Sequence, residues 1–177
     1  MARAKVREDL LSQHERATLP ARSFPNGAHV AEVVIDPETG IVTTDRYTGV
    51  DDFGNLINPM LAEGQVHGGV AQGVGQAVQE RVVYDEDGQL LTASFMDYAV
   101  PRAADLPYIS FTSEPVPSTA NIMGMKGCGE AGTVGALAAI SNAVQDALWD
   151  HGVRQADMPF TPHRVWEMMH EEKIAAE

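Results

Sequence analysis

HVAEVVIDPETGIVTTDRYTGVDD, residues 29–52, is the stretch that decides the fold class. Residues 29–36 are β-branched and alternate loosely between apolar and polar, which predicts a half-buried strand. Asp36-Pro37-Glu38-Thr39-Gly40 is turn chemistry, and residues 41–52 return to strand formers, so the stretch predicts a hairpin. Outward from it, Asn58-Pro59 marks a helix start, an N-cap residue followed by proline at the first helical position. The predicted helix runs from Met60 to Glu80. Its interior glycines each cost about 1 kcal/mol against alanine, and close packing or the close approach of a ligand would compensate. Residues 82–84 and 89–92 flank Asp85-Glu86-Asp87-Gly88 as a second predicted hairpin, and 107–114 reads as a further strand. Residues 115–132 form a long irregular stretch dense in glycine and proline, of the kind that carries function. A helix is predicted from Thr133 to Trp149, with Val134, Leu137, Ser141, Val144 and Leu148 as its apolar stripe. A last short helix starts at Thr161-Pro162, with Val165, Trp166 and Met169 on its apolar side. Hairpins and helices that do not strictly alternate argue for an α+β fold, a mixed sheet packed with glycine-rich helices, over a doubly wound one. Residues 1–22 read as a polar arm or docking helix, and 23–177 as one domain.

Composition narrows the function. Hydrophobic residues make up 44% and charged residues 21%, so the chain can bury a core. The net charge of -13 repels phosphate backbones, which argues against nucleic-acid binding. An anionic cofactor would have to be held by backbone N–H groups and helix ends. The single cysteine, Cys128, excludes an internal disulfide and a cysteine cluster for zinc or iron–sulfur. The charged N-terminal segment lacks a signal-peptide core, and no apolar run reaches the ~18 residues of a membrane span. A soluble, cytoplasmic protein is the expectation.

Two features point to chemistry. Gln65, Gln72, Gln76 and Gln79 fall within a helical sector of about 60°, and Gly68, Gly69, Gly73 and Gly75 strip bulk from the same helix. Amides beside bare backbone suit a ligand rich in donors and acceptors, such as a pterin. The pattern also describes a solvent-facing polar stripe on a tightly packed helix. The second feature is Gly127-Cys128-Gly129-Glu130-Ala131-Gly132, which opens the Thr133 helix. It matches G-x-G-x-x-G, but no buried strand precedes it and a carboxylate would sit inside the phosphate cradle, so a nucleotide-binding module is the weaker alternative. Glu130 makes better sense as a base: the helix N-terminus favours its ionised form, and flanking glycines admit a ligand. A plain N-terminal cap is the structural alternative. The six histidines show no metal-binding spacing and read as surface or packing residues. Asp51 and Asp52, adjacent on a strand, point to opposite faces and are not a catalytic pair. Cys128 reads as a small buried filler or a reactive thiol.

PNGAHVAEVVIDPETG, VDDFGNLINPMLAEGQVHGGVAQGVGQA, MDYAVPRAADLP and MKGCGEAGTVGALAAISNAVQDAL occur in this order. Together they resemble the C-terminal part of the molybdenum-binding large subunit of the xanthine dehydrogenase/aldehyde oxidase family, a molybdopterin-binding domain of its second type. The resemblance runs from about Phe24 to Trp166. It implies that Glu130 is the catalytic base, taking a proton from a metal-bound hydroxyl so that its oxygen attacks an aldehyde or N-heteroaromatic substrate. It maps Gln65 onto the family glutamine that bonds the pterin. Gly129 falls on the adjoining loop backbone, with Gly127, Cys128, Gln72 and Gly69 as further cofactor contacts. The implied cofactor is molybdopterin, in its cytosine dinucleotide form, with molybdenum; [2Fe-2S] and FAD are expected on partner subunits.

Family large subunits are several times longer, and their remaining portion supplies further pterin contacts and the substrate pocket. The expected partners are therefore that remaining portion, an iron–sulfur subunit and an FAD subunit, besides a small-molecule substrate. Met1-Ala2-Arg3 suits a coding unit that begins here, which leaves two readings: one part of a split large subunit, or a non-catalytic remnant that serves as a scaffold.

Overall fold

A computed structural model describes residues 20–174 of the chain together with 14, 16 and 18. The arm expected over 1–22 lies almost wholly outside the described residues. The predicted hairpin is present as β1 (Asn26–Ile35) and β2 (Val42–Asp52), antiparallel and joined by the 36–40 turn. Asp36 ties the turn by accepting from Glu38 N (2.9 Å) and Thr39 Oγ1 (2.8 Å). Gly40 closes it at φ +71°, and a Cβ there would collide with the Pro162 carbonyl.

Helix α1 (Pro59–Val78) starts where the Asn58-Pro59 signal places it, with Asn58 Oδ1 accepting from Leu61 N at 3.2 Å. The chain then makes a long excursion before β3 (Ile109–Ser113), which pairs parallel to β2. The sheet is thus mixed, with order β1-β2-β3, and helices α2 (Ala131–Trp149) and α3 (Pro162–Ile174) complete the α+β fold. The second predicted hairpin exists in minimal form: Tyr84 and Leu90 bridge, and Leu91 N donates to Val83 O at 2.8 Å. Among the described residues, no helix is long and apolar enough to cross a membrane.

The core lies between the sheet and the α1–α2 pair. Tyr47, Phe53 and Ile109 meet Val66, Val70 and Val74 of α1, Ile140, Val144 and Leu148 of α2, and Phe160 and Val165. The two long helices meet along a seam of small residues. A Cβ on Gly73 would lie 2.5 Å from Ala136 Cβ, and one on Gly69 2.9 Å from Thr133 N. Close packing therefore accounts for these two glycines, whereas Gly64 and Gly68 face open space.

One expectation is corrected. Val134 is not part of the buried stripe of α2; it is 64% exposed. The buried side runs through Gly132, Ala136, Ala139, Ile140, Val144 and Leu148. Contact with α1 is made by small side chains, so the helix turns its smallest residues inward and leaves Val134 roughly a third of a turn away.

Candidate functional site

Glu130 is the N-cap residue of α2, which begins two residues earlier than the apolar stripe suggested. Its backbone carbonyl accepts from Val134 N at 3.0 Å, but its side chain makes no capping hydrogen bond. The plain capping role is thus not what its carboxylate performs. The side chain is exposed and borders a cleft of about 490 Å³ between Phe24–Gly27 and the first turns of α2.

The loop that carries Glu130 is fastened on two sides. On the α1 side, Gln65 Nε2 donates to Gly129 O at 2.8 Å, and one face further along Thr133 Oγ1 donates to Gln72 Oε1 at 3.3 Å. The two glutamines that sequence spacing placed on one helical face both reach the start of α2. Gln76 is exposed, and Gln79 is the C-cap residue of α1, bordering a different cleft. On the β2 side, Asp52 Oδ1 accepts from Gly54 N (2.8 Å) and Val116 N (2.9 Å), while Oδ2 receives the Lys126 ammonium. Lys126 Nζ first, then the Val116 and Gly54 amides, hold the Asp52 carboxyl at about 2, well below the ordinary value. Lys126 N donates to Phe53 O at 2.8 Å and Asn55 N to Gly124 O at 3.0 Å, so the loop runs beside the continuation of β2. Gly54, at φ +61°, faces Gly124 so closely that a side chain would collide with its carbonyl.

A second cleft, about 530 Å³, opens on the other side of this loop, bordered by Gln65, Cys128 and Gly129 with Asn55, Ile57 and Leu61. Gly127 and Gly129 are exposed, and a Cβ on either would meet nothing within 4 Å. Bare backbone at Gly129 and the Gln65 amide, whose oxygen stays free to accept, border this cleft, while the first-turn N–H groups of α2, which have no acceptor within the helix, begin at Ala131 on the Glu130 side of the loop. Together they offer both donors and an acceptor, which fits a pterin rich in both. Cys128 is half-buried and packs against the core, as the filler reading expects, while bordering the same cleft. Gly69 is buried beneath Gly132 and Thr133, so it spaces the helices rather than facing either cleft.

Sequence reasoning missed a buried polar network. Within the hairpin register His29 faces Gly49, with Tyr47 and Asp51 diagonal to it on the same face. His29 Nδ1 meets Tyr47 Oη at 2.7 Å, and Nε2 meets Asp51 Oδ1 at 3.1 Å, with both the His29 and Asp51 side chains 4% exposed. Burial, then the Asp51 charge, pushes the Tyr47 phenol well above its ordinary value. A phenol kept protonated donates to Nδ1 and leaves Nε2–H for Asp51. His29 is thus a packing residue as expected, but one inside a hydrogen-bonded network. The ring fills the notch left by Gly135 of α2 and borders the Glu130 cleft. Asp51 and Asp52 do take opposite faces, and each finds its own partner, His29 for the first and Lys126 for the second. The detectable signal was the alternation of Tyr47, Gly49 and Asp51 opposite a strand histidine.

The fold and the glutamine-bonded loop define a class, a cofactor-binding domain, and comparison gives it a family. A sequence model described as the molybdopterin cofactor-binding domain matches residues 3–107, and the chain belongs to that family. More particularly, it corresponds to a segment of the molybdopterin-binding large subunits of the xanthine dehydrogenase/aldehyde oxidase family, a family of molybdenum oxidoreductases. It is 42% identical over 142 residues to the nicotine 6-hydroxylase large subunit of Paenarthrobacter nicotinovorans, covering 80% of this chain and 17% of that one. It is 36% identical over 156 residues to the carbon monoxide dehydrogenase large chain of Hydrogenophaga pseudoflava, covering 88% of this chain and 19% of that one. The crystal structure of quinoline 2-oxidoreductase from Pseudomonas putida 86 superposes with a TM-score of 0.80 at 41% identity, over 83% of this chain and 19% of that one. The chain therefore spans less than a fifth of the length of these relatives. A nucleotide site of the doubly wound type is excluded by the mixed three-stranded sheet and by the isolated bridge, not a buried strand, that precedes Gly127.

Proposed function

We propose that this chain forms one wall of the active site of a molybdenum hydroxylase, with Gln65 and the 127–129 backbone holding the pterin and Glu130 serving as the base. The observation that carries the reading is the 2.8 Å bond from Gln65 Nε2 to Gly129 O. It joins the glutamine helix to the loop whose next residue is Glu130. When bound, the molybdenum cofactor supplies the electron-accepting and oxygen-activating chemistry of such an enzyme. The protein's part is positional. Gln65 donates to the loop and keeps its amide oxygen as an acceptor; Gly127 and Gly129 expose their backbone; Gly69 lets α1 and α2 approach closely enough for Gln65 to reach. Glu130, free of capping duty, accepts and returns a proton at its carboxylate oxygen beside the substrate. Gln72, bonded to Thr133, braces the same helix start.

The cytosine dinucleotide form of the cofactor, an aldehyde or N-heteroaromatic substrate, and iron–sulfur and FAD centres on partner subunits all belong to this reading. So does completion of the site by the remaining large-subunit portion. Similarity to subunits of larger complexes, such as the gamma subunit of the 6-hydroxypseudooxynicotine dehydrogenase complex of Paenarthrobacter nicotinovorans, supports a multi-subunit setting.

The test is co-expression with a large-subunit portion and small subunits, followed by pterin and molybdenum analysis and turnover on aldehydes and N-heteroaromatics. Glu130→Gln keeps the cofactor and loses turnover by several orders of magnitude, since an amide cannot take the proton. Gln65→Ala lowers pterin content. Undiminished turnover in Glu130→Gln overturns the base role. A wild-type assembly that holds no pterin favours the scaffold reading.

A further inference from the structure

Between α1 and β3 the chain makes an excursion, residues 79–105, whose aliphatic and aromatic side chains do not join the hydrophobic core or pack against it. Its large apolar residues instead face outward. Phe95 is 90% and Met96 92% exposed, and Val82, Tyr84 and Leu91 are each more than half exposed. A stretch this apolar and this uncovered is unusual on a free surface.

It is not a loose loop. Ser94 O accepts from Asp97 N (3.0 Å) and Tyr98 N (2.8 Å), and Ser94 Oγ donates to Asp97 Oδ2 at 2.7 Å. Phe95 and Met96 are thereby presented at the tip of a closed turn. Tyr98 Oη donates to Glu80 Oε2 at 2.6 Å, and Pro101 fills the space left by Gly75, which fastens the turn to the end of α1. Val83 N donates to Thr92 Oγ1 at 3.1 Å, bracing the small hairpin beside it. The ordering entropy of this tip is already met in the free chain, which is what a docking knob requires.

We infer that the Phe95–Met96 tip is an anchor that seats in an apolar pocket of the remaining large-subunit polypeptide. Three observations favour that occupant over a second copy. The family model extends across the whole excursion. Relatives with this fold carry more than four-fifths of their length outside it. The excursion bears the acidic run Asp85-Glu86-Asp87, and a second copy of a chain with net charge -13 would bring like charge to it. The fitting surface is therefore an apolar pocket with a basic rim. Gln79 stands about 21 Å along α1 from Gln65, so this anchor lies away from the Glu130 loop. The inference rests on the chain being one segment of a larger assembly, not on Glu130 chemistry.

The test uses the full 177-residue chain and, as probe, the Hydrogenophaga pseudoflava carbon monoxide dehydrogenase large chain with its matching segment deleted, co-expressed and compared by affinity co-purification and dilution. Wild type binds. Phe95→Ser combined with Met96→Ser weakens binding by about 100-fold, while circular dichroism shows the fold retained, because neither side chain touches the core. Asp146→Ala, on the exposed face of α2 and outside both clefts, binds as wild type, and because the readout is binding rather than pterin content or turnover, loss of docking is distinguished from loss of cofactor chemistry. Leu91→Ser provides a second, milder loss. The inference is overturned if the double variant binds like wild type, if wild type fails to bind the probe, or if the tip instead drives concentration-dependent self-association.

Discussion

Two glycines of α1 give a prediction whose sign depends on the structure alone. Gly68 and Gly73 are both helix-interior residues, so replacing either with alanine removes the same backbone-entropy penalty, about 1 kcal/mol in favour of folding. At Gly68 a Cβ meets nothing within 4 Å, and the whole gain is realised. At Gly73 the added carbon would lie 2.5 Å from Ala136 Cβ and 2.9 Å from Thr133 O. Neither atom can swing away, since one is a helix methyl and the other backbone, so α1 and α2 must part. Overpacking of this kind costs about 3 kcal/mol at the upper end of its usual range, leaving a net loss of about 2 kcal/mol. The two variants should thus differ by about 3 kcal/mol. With a urea dependence of about 2 kcal/mol per molar, the unfolding midpoints should stand roughly 1.5 M apart, Gly68→Ala above wild type and Gly73→Ala below it. Equilibrium urea unfolding followed by circular dichroism reads both. Midpoints that move in the same direction would refute the small-residue seam, and with it the account of how Gln65 reaches Gly129.

His29→Leu should destabilise the chain by about 3 kcal/mol in urea unfolding, because Asp51 and the Tyr47 hydroxyl lose their buried partner; a loss under 1 kcal/mol would mean the network is dispensable. Asp52 should titrate with a midpoint near 2 in carboxyl-carbon NMR. Because its folded-state value is depressed, its grip on the loop is fully present above the ordinary carboxylate value and is lost as pH falls through about 2; a midpoint near 4 would contradict the Lys126 pairing. Asn58→Ala should cost about 1 kcal/mol through its lost cap. Glu130→Gln should leave stability within about 0.5 kcal/mol of wild type, since its side chain caps nothing; thermal melts of the pair check both.

What the sequence yielded follows the range of the forces involved. The 36–40 turn and the Asn58-Pro59 start were legible because their hydrogen bonds join residues only a few positions apart. Glu130 was legible as a candidate because the glycines that bare it are its neighbours in the chain. Val134 departs from its expected burial because helical spacing ranks residues by hydrophobicity, whereas the seam with α1 selects for smallness. The parallel pairing of β3 with β2 and the His29–Asp51 contact depend on register across the fold, which no local pattern contains.

The same distinction explains how the candidate base is held. Its carboxylate has no bond of its own to a cap, so its position is inherited from backbone fastened elsewhere: by Gln65 from α1 on one side, and by Asp52 through Lys126 from the end of β2 on the other. Gly69 and Gly73 set the distance at which the first fastening can form, and Gly54 lets the chain approach closely enough for the second. Placement of Glu130 is therefore a property of the α1–α2 seam and the hairpin together. Changes at Gly73 or Asp52 should displace it even though neither residue borders its cleft.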